Sequence, residues 1–368
     1  MLEQNSLKKS PVRALEQRLR RHLAELERDG LIRKRRPPQG IDLSSNDYLG
    51  LAGHPFIKER MAAAVCAEGA GSTGSRLLRG ERDCFTALEQ RFAEFKGAER
   101  SLYFGSGYLA NLAVLTTFPE AGDTIFSDER NHASLIDGVR LSRAERVVFP
   151  HLHPGSVQDG AFLVTESVFS MDGDVAPLEQ YKKLGAALIV DEAHAVGLYG
   201  DRGQGLVGGN GVFVSVNPAG KALGVAGAFV AGPAWAIDYL EQRARPFIFS
   251  TAAPPAIAAA LDASLDVIAT EPERRERVRS LARYLRQRLA EAGIAVPAGD
   301  SPIIPVIIGE NERAVAVAAT LQEAGFDVRA IRPPTVPAGT ARLRISVNVG
   351  LSERILDRFV ENLCAVFS

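Results

Sequence analysis

Between residues 101 and 231 short apolar runs alternate with helix-forming stretches, and that alternation leaves few folds open to the chain. Strands joined through single helices form βαβ units. Their crossovers are right-handed, so they build a mainly parallel sheet with helices on both faces. The pattern predicts seven strands, at 101–104, 124–127, 146–149, 161–166, 186–191, 212–216 and 226–231. Helices are expected near 108–117, from about 134 to 142, and at 178–184. The fifth strand is the most telling. It is apolar up to Val190 and stops at Asp191, so a buried strand delivers a carboxylate at its C-terminal end. In open α/β sheets that edge is where ligands bind. His194 follows three residues later, and Lys221 thirty later.

The flanking segments complete an α/β plan. Val12, Leu15, Leu19, Leu23 and Leu26 recur at helical spacing over 12–29, an amphipathic helix stopped by Gly30. Standing ahead of the main body, it is expected to pack on that body or on a second subunit. A short strand at 41–43 leads into the polar turn 44–50. A glycine-rich loop at 69–76 separates helices expected at 55–67 and 81–96. Glycines there suit a backbone that passes close to a ligand or a partner chain. Pro254 and Pro255 open a helical region that runs to about 291 and breaks at Glu271–Pro272. Strand 303–308, helix 312–324, strands 327–331 and 342–347, and helix 352–366 then suggest a smaller α+β domain. The expected division is an N-terminal helix and arm (1–40), a large domain (41–250) and a small C-terminal domain (251–368).

Charge and cysteine content narrow the function. A formal net charge of −1 gives no global basic field for nucleic acid or an anionic membrane. The basic run Arg33, Lys34, Arg35 and Arg36 is local. Three widely spaced cysteines with no CxxC suit neither a disulfide framework nor a zinc site. The first residues carry no apolar signal region, and no apolar run approaches the ~20 residues of a spanning helix. The chain reads as cytosolic, without metal.

Four features carry chemistry. Gly105–Ser–Gly107–Tyr108 joins a strand to a helix start, where free backbone N–H groups and the positive dipole end suit a phosphate. It is not a dinucleotide fingerprint, because Ala110 stands where the third glycine would be. Among the histidines, His22, His54, His151 and His153 read as ordinary surface or packing residues, whereas His132 and His194 follow the ends of predicted strands. Lys221 lies in a small-residue turn between two strands. A partly buried amine has a lowered pKa and becomes a nucleophile suited to Schiff-base chemistry. A strand-end acid, a histidine, this lysine and a phosphate-binding helix start together describe a pyridoxal phosphate site.

Several ordered motifs carry a more specific resemblance: SNDYLGL at 45–51, GSTGSR at 71–76, NHASL at 131–135, ESVFSMDGD at 166–174, DEAH at 191–194, GK at 220–221 and FIFST at 247–251. On these the chain resembles the α-oxoamine synthases over nearly its whole length. These are fold-type I pyridoxal 5'-phosphate enzymes that condense an amino acid with an acyl thioester and release CO2. The segments AIRPPTVP at 330–337 and ARLRI at 341–345 are most similar to the branch that joins L-alanine to a pimeloyl thioester in biotin biosynthesis. The acyl group would arrive on coenzyme A or on acyl carrier protein.

The resemblance implies a homodimer and a set of roles. Lys221 bonds to the cofactor aldehyde and later moves the α-proton. Asp191 holds the pyridinium nitrogen. His194 and Ser170 serve the phenolic oxygen, and His132 stacks on the ring and touches substrate. Gly107 and Tyr108 hold the phosphate through their backbone, with Thr251 from a second subunit. Arg344 grips the amino-acid carboxylate, Thr335 lines the substrate site, and Arg33 meets the acyl substrate.

Two positions depart from the family. It commonly has Thr three residues before the lysine, donating to the phosphate; here Pro218 offers neither a side-chain donor nor an N–H. Ser215, Asn217, or Ser250 and Thr251 from a second subunit are the candidate replacements. After Arg344 the family commonly shows a histidine, where this chain reads NVGL at 348–351. Both changes bear on cofactor affinity and substrate choice. Two rival readings stay open: another α-oxoamine synthase, such as a glycine C-acetyltransferase, and a binding protein that keeps the fold without good cofactor binding.

Overall fold

The structure is a computed structural model that describes residues 11–208 and 211–367. Helix α1 (Pro11–Arg28) comes first, then β1 (Ile41–Asp42), α2 (Pro55–Glu68) and α3 (Asp83–Lys96). The central series is β2 (Arg100–Phe104), α4 (Gly107–Thr117), β3 (Thr124–Asp128), α5 (Ala133–Leu141), β4 (Glu145–Phe149), β5 (Phe162–Glu166), α6 (Leu178–Tyr181), β6 (Ala187–Asp191), β7 (Val214–Pro218) and β8 (Ala228–Gly232). Strands β2 to β8 form the mainly parallel seven-stranded sheet that the alternation predicts, in the order β2-β8-β7-β6-β5-β3-β4. Strand β8 runs against its neighbours β2 and β7; every other pair is parallel.

Three local differences from the sequence reading have physical causes. Strand β7 lies two residues later than expected and includes Pro218, which pairs with Ala228 across the antiparallel step to β8. Two helices follow β8 where the sequence pattern showed none, α7 (Ala234–Arg243) and α8 (Arg245–Ile248). Helix α7 buries only Ala236, Ile237 and Leu240, too narrow a stripe to stand out by periodicity. In the C-terminal part, α9 (Pro255–Thr270), α10 (Glu273–Glu291), β9 (Ile303–Gly309) and α11 (Asn311–Glu323) precede β10 (Phe326–Asp327), β11 (Arg329–Ile331), β12 (Ala341–Ser346) and α12 (Glu353–Phe367). The single strand expected at 327–331 is thus two. Val328 separates β10, which pairs with β1, from β11, which pairs with β12.

Two of the hydrophobic cores show how the parts divide. Leu261, Leu265 and Ile268 of α9 pack with Phe85, Phe92 and Phe229 of the large sheet region. A second core joins Leu285, Leu321, Phe326 and Phe359, and it includes Leu43 because β1 pairs with β10. A boundary at 250/251 therefore falls ahead of α9, while the second core begins with α10. Helix α1 contributes to neither core. Its apolar stripe is exposed, Val12 by 70% and Leu23 by 56%, so of the two docking places expected for it the chain's own body is not used. No helix among the described residues is long and apolar enough to cross a membrane.

Candidate active site

Strand β6 delivers Asp191 where the sequence reading put it, buried at the C-terminal end and in register with Glu166 of β5 and Val216 of β7. A buried carboxylate needs donors. Asp191 Oδ2 accepts from Asn111 Nδ2 at 2.7 Å and Oδ1 accepts from the Ala193 N–H at 2.8 Å. Asn111 comes from α4, so the helix that opens at Gly107 also orients this acid. Asn111 belongs to no motif in the sequence; its signal is helical spacing from Gly107, four residues on.

Lys221 sits in the turn between β7 and β8, and the turn is wedged in place. Gly224 has φ +71°, and a Cβ there would lie 2.5 Å from Leu51 Cβ. Gly197 has φ +87°, and a Cβ there would lie 2.7 Å from Ala222 Cβ. The 45–51 segment and the loop after His194 thus clamp the lysine loop from two sides. Among the described residues the Lys221 amine makes no hydrogen bond and no ion pair. Burial lowers its pKa; Asp191 and Glu166 oppose this from a distance and Arg344 reinforces it.

His194 is buried and stays neutral, because burial first and then the charges of Lys221, Arg344 and His132 hold its pKa well below the usual value. Its Nδ1 lies 2.7 Å from the Tyr48 hydroxyl. Arg344, on β12, donates through Nε to the Ser170 carbonyl, through Nη1 to Ser346 Oγ at 2.7 Å, and through Nη2 to Asn46 Oδ1 at 3.0 Å. No carboxylate among the described residues pairs with it. A buried guanidinium without a counter-charge is a place for an anion. These contacts bring Asn46 and Tyr48 of the 45–51 motif, Ser170, His194 and Arg344 together.

At the start of α4, Ser106 is the N-cap and accepts from Leu109 N at 3.2 Å. The N–H groups of Gly107 and Tyr108 have no acceptor among the described residues, as a helix start requires when a ligand is to be held. Gly107 packs on Pro218: a Cβ at 107 would lie 2.7 Å from Pro218 Cγ. The departure at 218 therefore falls beside the helix start. Two of its candidate replacements are engaged elsewhere, since Asn217 Nδ2 donates to Ser215 Oγ at 3.0 Å and both are buried in the sheet.

His132 is the N-cap of α5, with Nδ1 2.7 Å from Ser134 Oγ. Its ring meets Tyr108 edge-on at 6.5 Å. Burial, countered by Asp191 and reinforced by Lys221, lowers its pKa. Beneath it lies Glu166, which the sequence reading quoted within a motif but gave no role. Glu166 Oε1 accepts the His132 N–H at 2.6 Å. Burial and then Asp191 push its carboxyl up to about 8, although Lys221 and the N–H groups of His132 and Ser170 pull the other way. Its sequence signal is an acid at the end of an apolar strand, where the ESVFSMDGD motif begins.

Three proposed site residues lie outside this cluster. Arg33 and Thr335 line a separate cavity of about 670 Å³ with Arg332, floored by Val315, Ala319 and Ile331. Thr251 is exposed and bridges to Ser75 of the glycine-rich loop. No group of three metal-ligating side chains is present among the described residues.

Residues 38–363 match the family model for aminotransferase class I and II, and the chain belongs to that family. The fold matches serine palmitoyltransferase from Sphingomonas wittichii with a TM-score of 0.87 at 29% identity, covering 97% of this chain and 98% of that one. A serine palmitoyltransferase from S. paucimobilis, solved with a pyridoxal phosphate–myriocin adduct, matches at 0.86 and 28%, covering 96% of this chain and 97% of that one. Fold and cofactor class are those of a fold-type I pyridoxal phosphate transferase. Within that class the sequence stands with the 8-amino-7-oxononanoate synthases. The protein of that name from Anaeromyxobacter dehalogenans is 46% identical, with 89% of this chain and 86% of the relative covered. The one from Paraburkholderia xenovorans is 42% identical, with 93% and 95% covered.

The residues present fit pyridoxal phosphate. An amine without a partner, a carboxylate held in place at a strand end, and a glycine-floored helix start with free N–H groups are the three anchors that such a ring, aldehyde and phosphate need.

Proposed function

We propose that the protein is an 8-amino-7-oxononanoate synthase, an acyltransferase that joins L-alanine to a pimeloyl thioester with loss of CO2 in biotin biosynthesis. The observation that carries this reading is Arg344: a buried cation without a counter-charge, in the same cluster as the unpartnered amine of Lys221. That pairing suits an amino acid, whose carboxylate goes to the guanidinium. Pyridoxal phosphate, when bound, supplies an electron sink for the charge that develops at the α-carbon.

The side chains then divide the work. The Gly107 and Tyr108 N–H groups hold the phosphate. Asp191, oriented by Asn111 and Ala193, holds the ring nitrogen. His194 and Ser170 serve the phenolic oxygen. His132, whose pKa burial lowers, would face the cofactor ring and the substrate. Lys221 Nζ is the group that would hold the cofactor aldehyde, and its lowered pKa favours the basic form that could carry the α-proton. Arg344 exchanges Asn46 for the alanine carboxylate and so fixes which bond at the α-carbon is broken.

Thr335 and Arg33 line the cavity proposed for the acyl chain, whose apolar floor and cationic rim suit a chain ending in a carboxylate. The exposed run Arg33 to Arg36 leaves both coenzyme A and acyl carrier protein as anionic carriers. A second copy of the chain would cover the exposed Leu141 and Phe249, which line a cleft of about 930 Å³, and would bring Thr251 to the site. The cytoplasm suits a chain whose three cysteines form no disulfide among the described residues.

The test is CO2 release by the purified enzyme with L-alanine or glycine against a panel of acyl thioesters on both carriers. The reading expects L-alanine with a pimeloyl thioester to lead. Preference for glycine with an acetyl thioester would replace it with a glycine C-acetyltransferase. A colourless protein that pyridoxal phosphate cannot reconstitute would remove both.

A further inference from the structure

Tyr48 is fully buried, and its hydroxyl proton has two competing acceptors. His194 Nδ1 lies at 2.7 Å and Asn46 Oδ1 at 3.1 Å. The third neighbour, Arg344 Nη2 at 3.4 Å, can only donate, so it occupies a lone pair of the phenol oxygen. Asn46 Oδ1 already receives Arg344 Nη2 at 3.0 Å. The nearer and otherwise unserved acceptor is His194 Nδ1. Donation to it leaves the single proton of the neutral imidazole on Nε2. Donation to Asn46 would instead require a proton on Nδ1 and leave Nε2 a bare acceptor.

We propose that Tyr48 is a positioning residue that locks His194 in the Nε2–H tautomer, so that the buried imidazole presents a donor to an anionic oxygen bound beside Lys221. Both partners are uncharged near neutrality. Burial first, and then the nearby Lys221 and Arg344, hold His194 well below its usual pKa, and burial, opposed by Arg344, raises the Tyr48 phenol. The ring therefore carries one proton, and the hydrogen-bond partner of Nδ1 decides where it sits. Because Arg344 donates to the same phenol oxygen, the side chain proposed to hold the substrate carboxylate also polarises the group that sets the tautomer. The ligand named here rests on the proposed function; the tautomer itself does not.

The experiment is a long-range proton–nitrogen correlation spectrum of the holoenzyme labelled with 15N-histidine. His194 is assigned by the signal lost in His194→Asn. The proposal expects a protonated Nε2 and an unprotonated Nδ1, unchanged from pH 6 to 9. A protonated Nδ1, or a ring that titrates in that range, would overturn it. In Tyr48→Phe the Nδ1 resonance should move toward the protonated position, since its donor is gone. A folded Tyr48→Phe protein with the wild-type tautomer would show that Tyr48 does not set it. Asn46→Ala gives an independent reading: removing the competing acceptor should leave the tautomer unchanged, whereas a shift of the proton to Nδ1 would show that Tyr48 alone does not hold it and would overturn the proposal. The wild-type spectrum is decisive even if a variant does not fold. A protein with the expected tautomer that ignores L-alanine would keep this inference and sink the substrate assignment.

Discussion

Two lysines lie next to consecutive acids at the end of β6, and they are treated in opposite ways. Lys96 reaches Glu192 and the Gln204 carbonyl in direct contact, with the Val207 carbonyl at 3.5 Å. The other oxygen of Glu192 accepts the N–H groups of Leu206 at 2.6 Å and Val207 at 2.9 Å. Every charge in that group is answered. Lys221, near Asp191, touches no acceptor among the described residues, and its pKa falls under burial despite two carboxylates nearby. A satisfied buried ion pair ties a loop to the sheet. An unsatisfied buried amine costs free energy in the resting fold and is retained where a ligand will complete it. The fold therefore separates its structural lysine from the one proposed for chemistry by the presence or absence of a partner, although both stand beside the same strand end.

Substitution can break that contrast. Lys221→Ala is expected to lower turnover about 10⁴-fold or more, since it removes both nucleophile and proton carrier. Chemical denaturation should show stability unchanged or raised, because the variant removes a buried amine that has no hydrogen-bond partner among the described residues. Substantial activity with a large loss of stability would invert the assignment. Lys96→Met should do the reverse. It strands Glu192 as a buried, unpaired carboxylate, for which a loss of about 3–5 kcal/mol is expected. The fraction that stays folded should turn over at nearly the normal rate. A loss below about 1 kcal/mol would mean that Glu192 is served well enough by its two N–H donors.

What made one lysine legible in the sequence and left the other silent is local context. Lys221 follows Gly220 in a short turn between two apolar runs, and the acid of β6 announces itself by ending an apolar run. Lys96 closes an ordinary amphipathic helix, and nothing in its neighbours tells that its side chain will cross to Glu192. The sheet was readable for the same reason as Asp191: its strands, apart from the exposed edge strand β4, are largely buried and stand out as apolar blocks. The pairing of β1 with β10 was not, because a two-residue strand has no pattern and its partner is far along the chain. Within the site, Glu166, Asn111 and Tyr48 act through contacts between distant segments, which periodicity does not encode. Arg33 and Thr335, expected to meet the substrate, line one cavity together although some three hundred residues separate them in the chain.

His151 tests the satisfied class at intermediate strength. It read as an ordinary histidine, yet Nδ1 lies 2.9 Å from Asp128 Oδ1 and Nε2 contacts Asp174, in the motif that carries Ser170. Burial opposes its charge, but the two carboxylates outweigh it and raise its pKa from 6.5 to about 9. The sign follows from linkage: a pKa raised on folding adds stability that is complete below about pH 6.5 and is lost as pH rises through about 9. At pH 6 His151→Gln should therefore cost about 2–3 kcal/mol. The gap from wild type should close above pH 9. Urea titrations at the two pH values measure it, and a gap that stays constant with pH would show that the ring contributes packing rather than charge.

The smallest expected effect concerns the unsatisfied class at its weakest point, Pro218. Proline is compatible with the fold there, in a strand that pairs with Ala228. At the α4 start, however, it presents only ring carbons to Gly107, where the free N–H groups await an acceptor. Pro218→Thr would add a hydroxyl beside them. A net hydrogen bond is worth about 0.5–1.5 kcal/mol, so cofactor dissociation should slow roughly three- to ten-fold. Dilution of the loaded enzyme into a phosphate-free buffer, followed by loss of visible absorbance, reads that rate without reference to turnover. The variant also introduces a buried N–H and hydroxyl that need acceptors in the absence of cofactor. Its cofactor-free form should accordingly be less stable than wild type, while its loaded form recovers the difference. Faster dissociation would mean that the phosphate does not sit at the Gly107 end of α4. Pro218 would then be a packing residue with no bearing on cofactor affinity, and the free N–H groups of α4 would have to serve another anion.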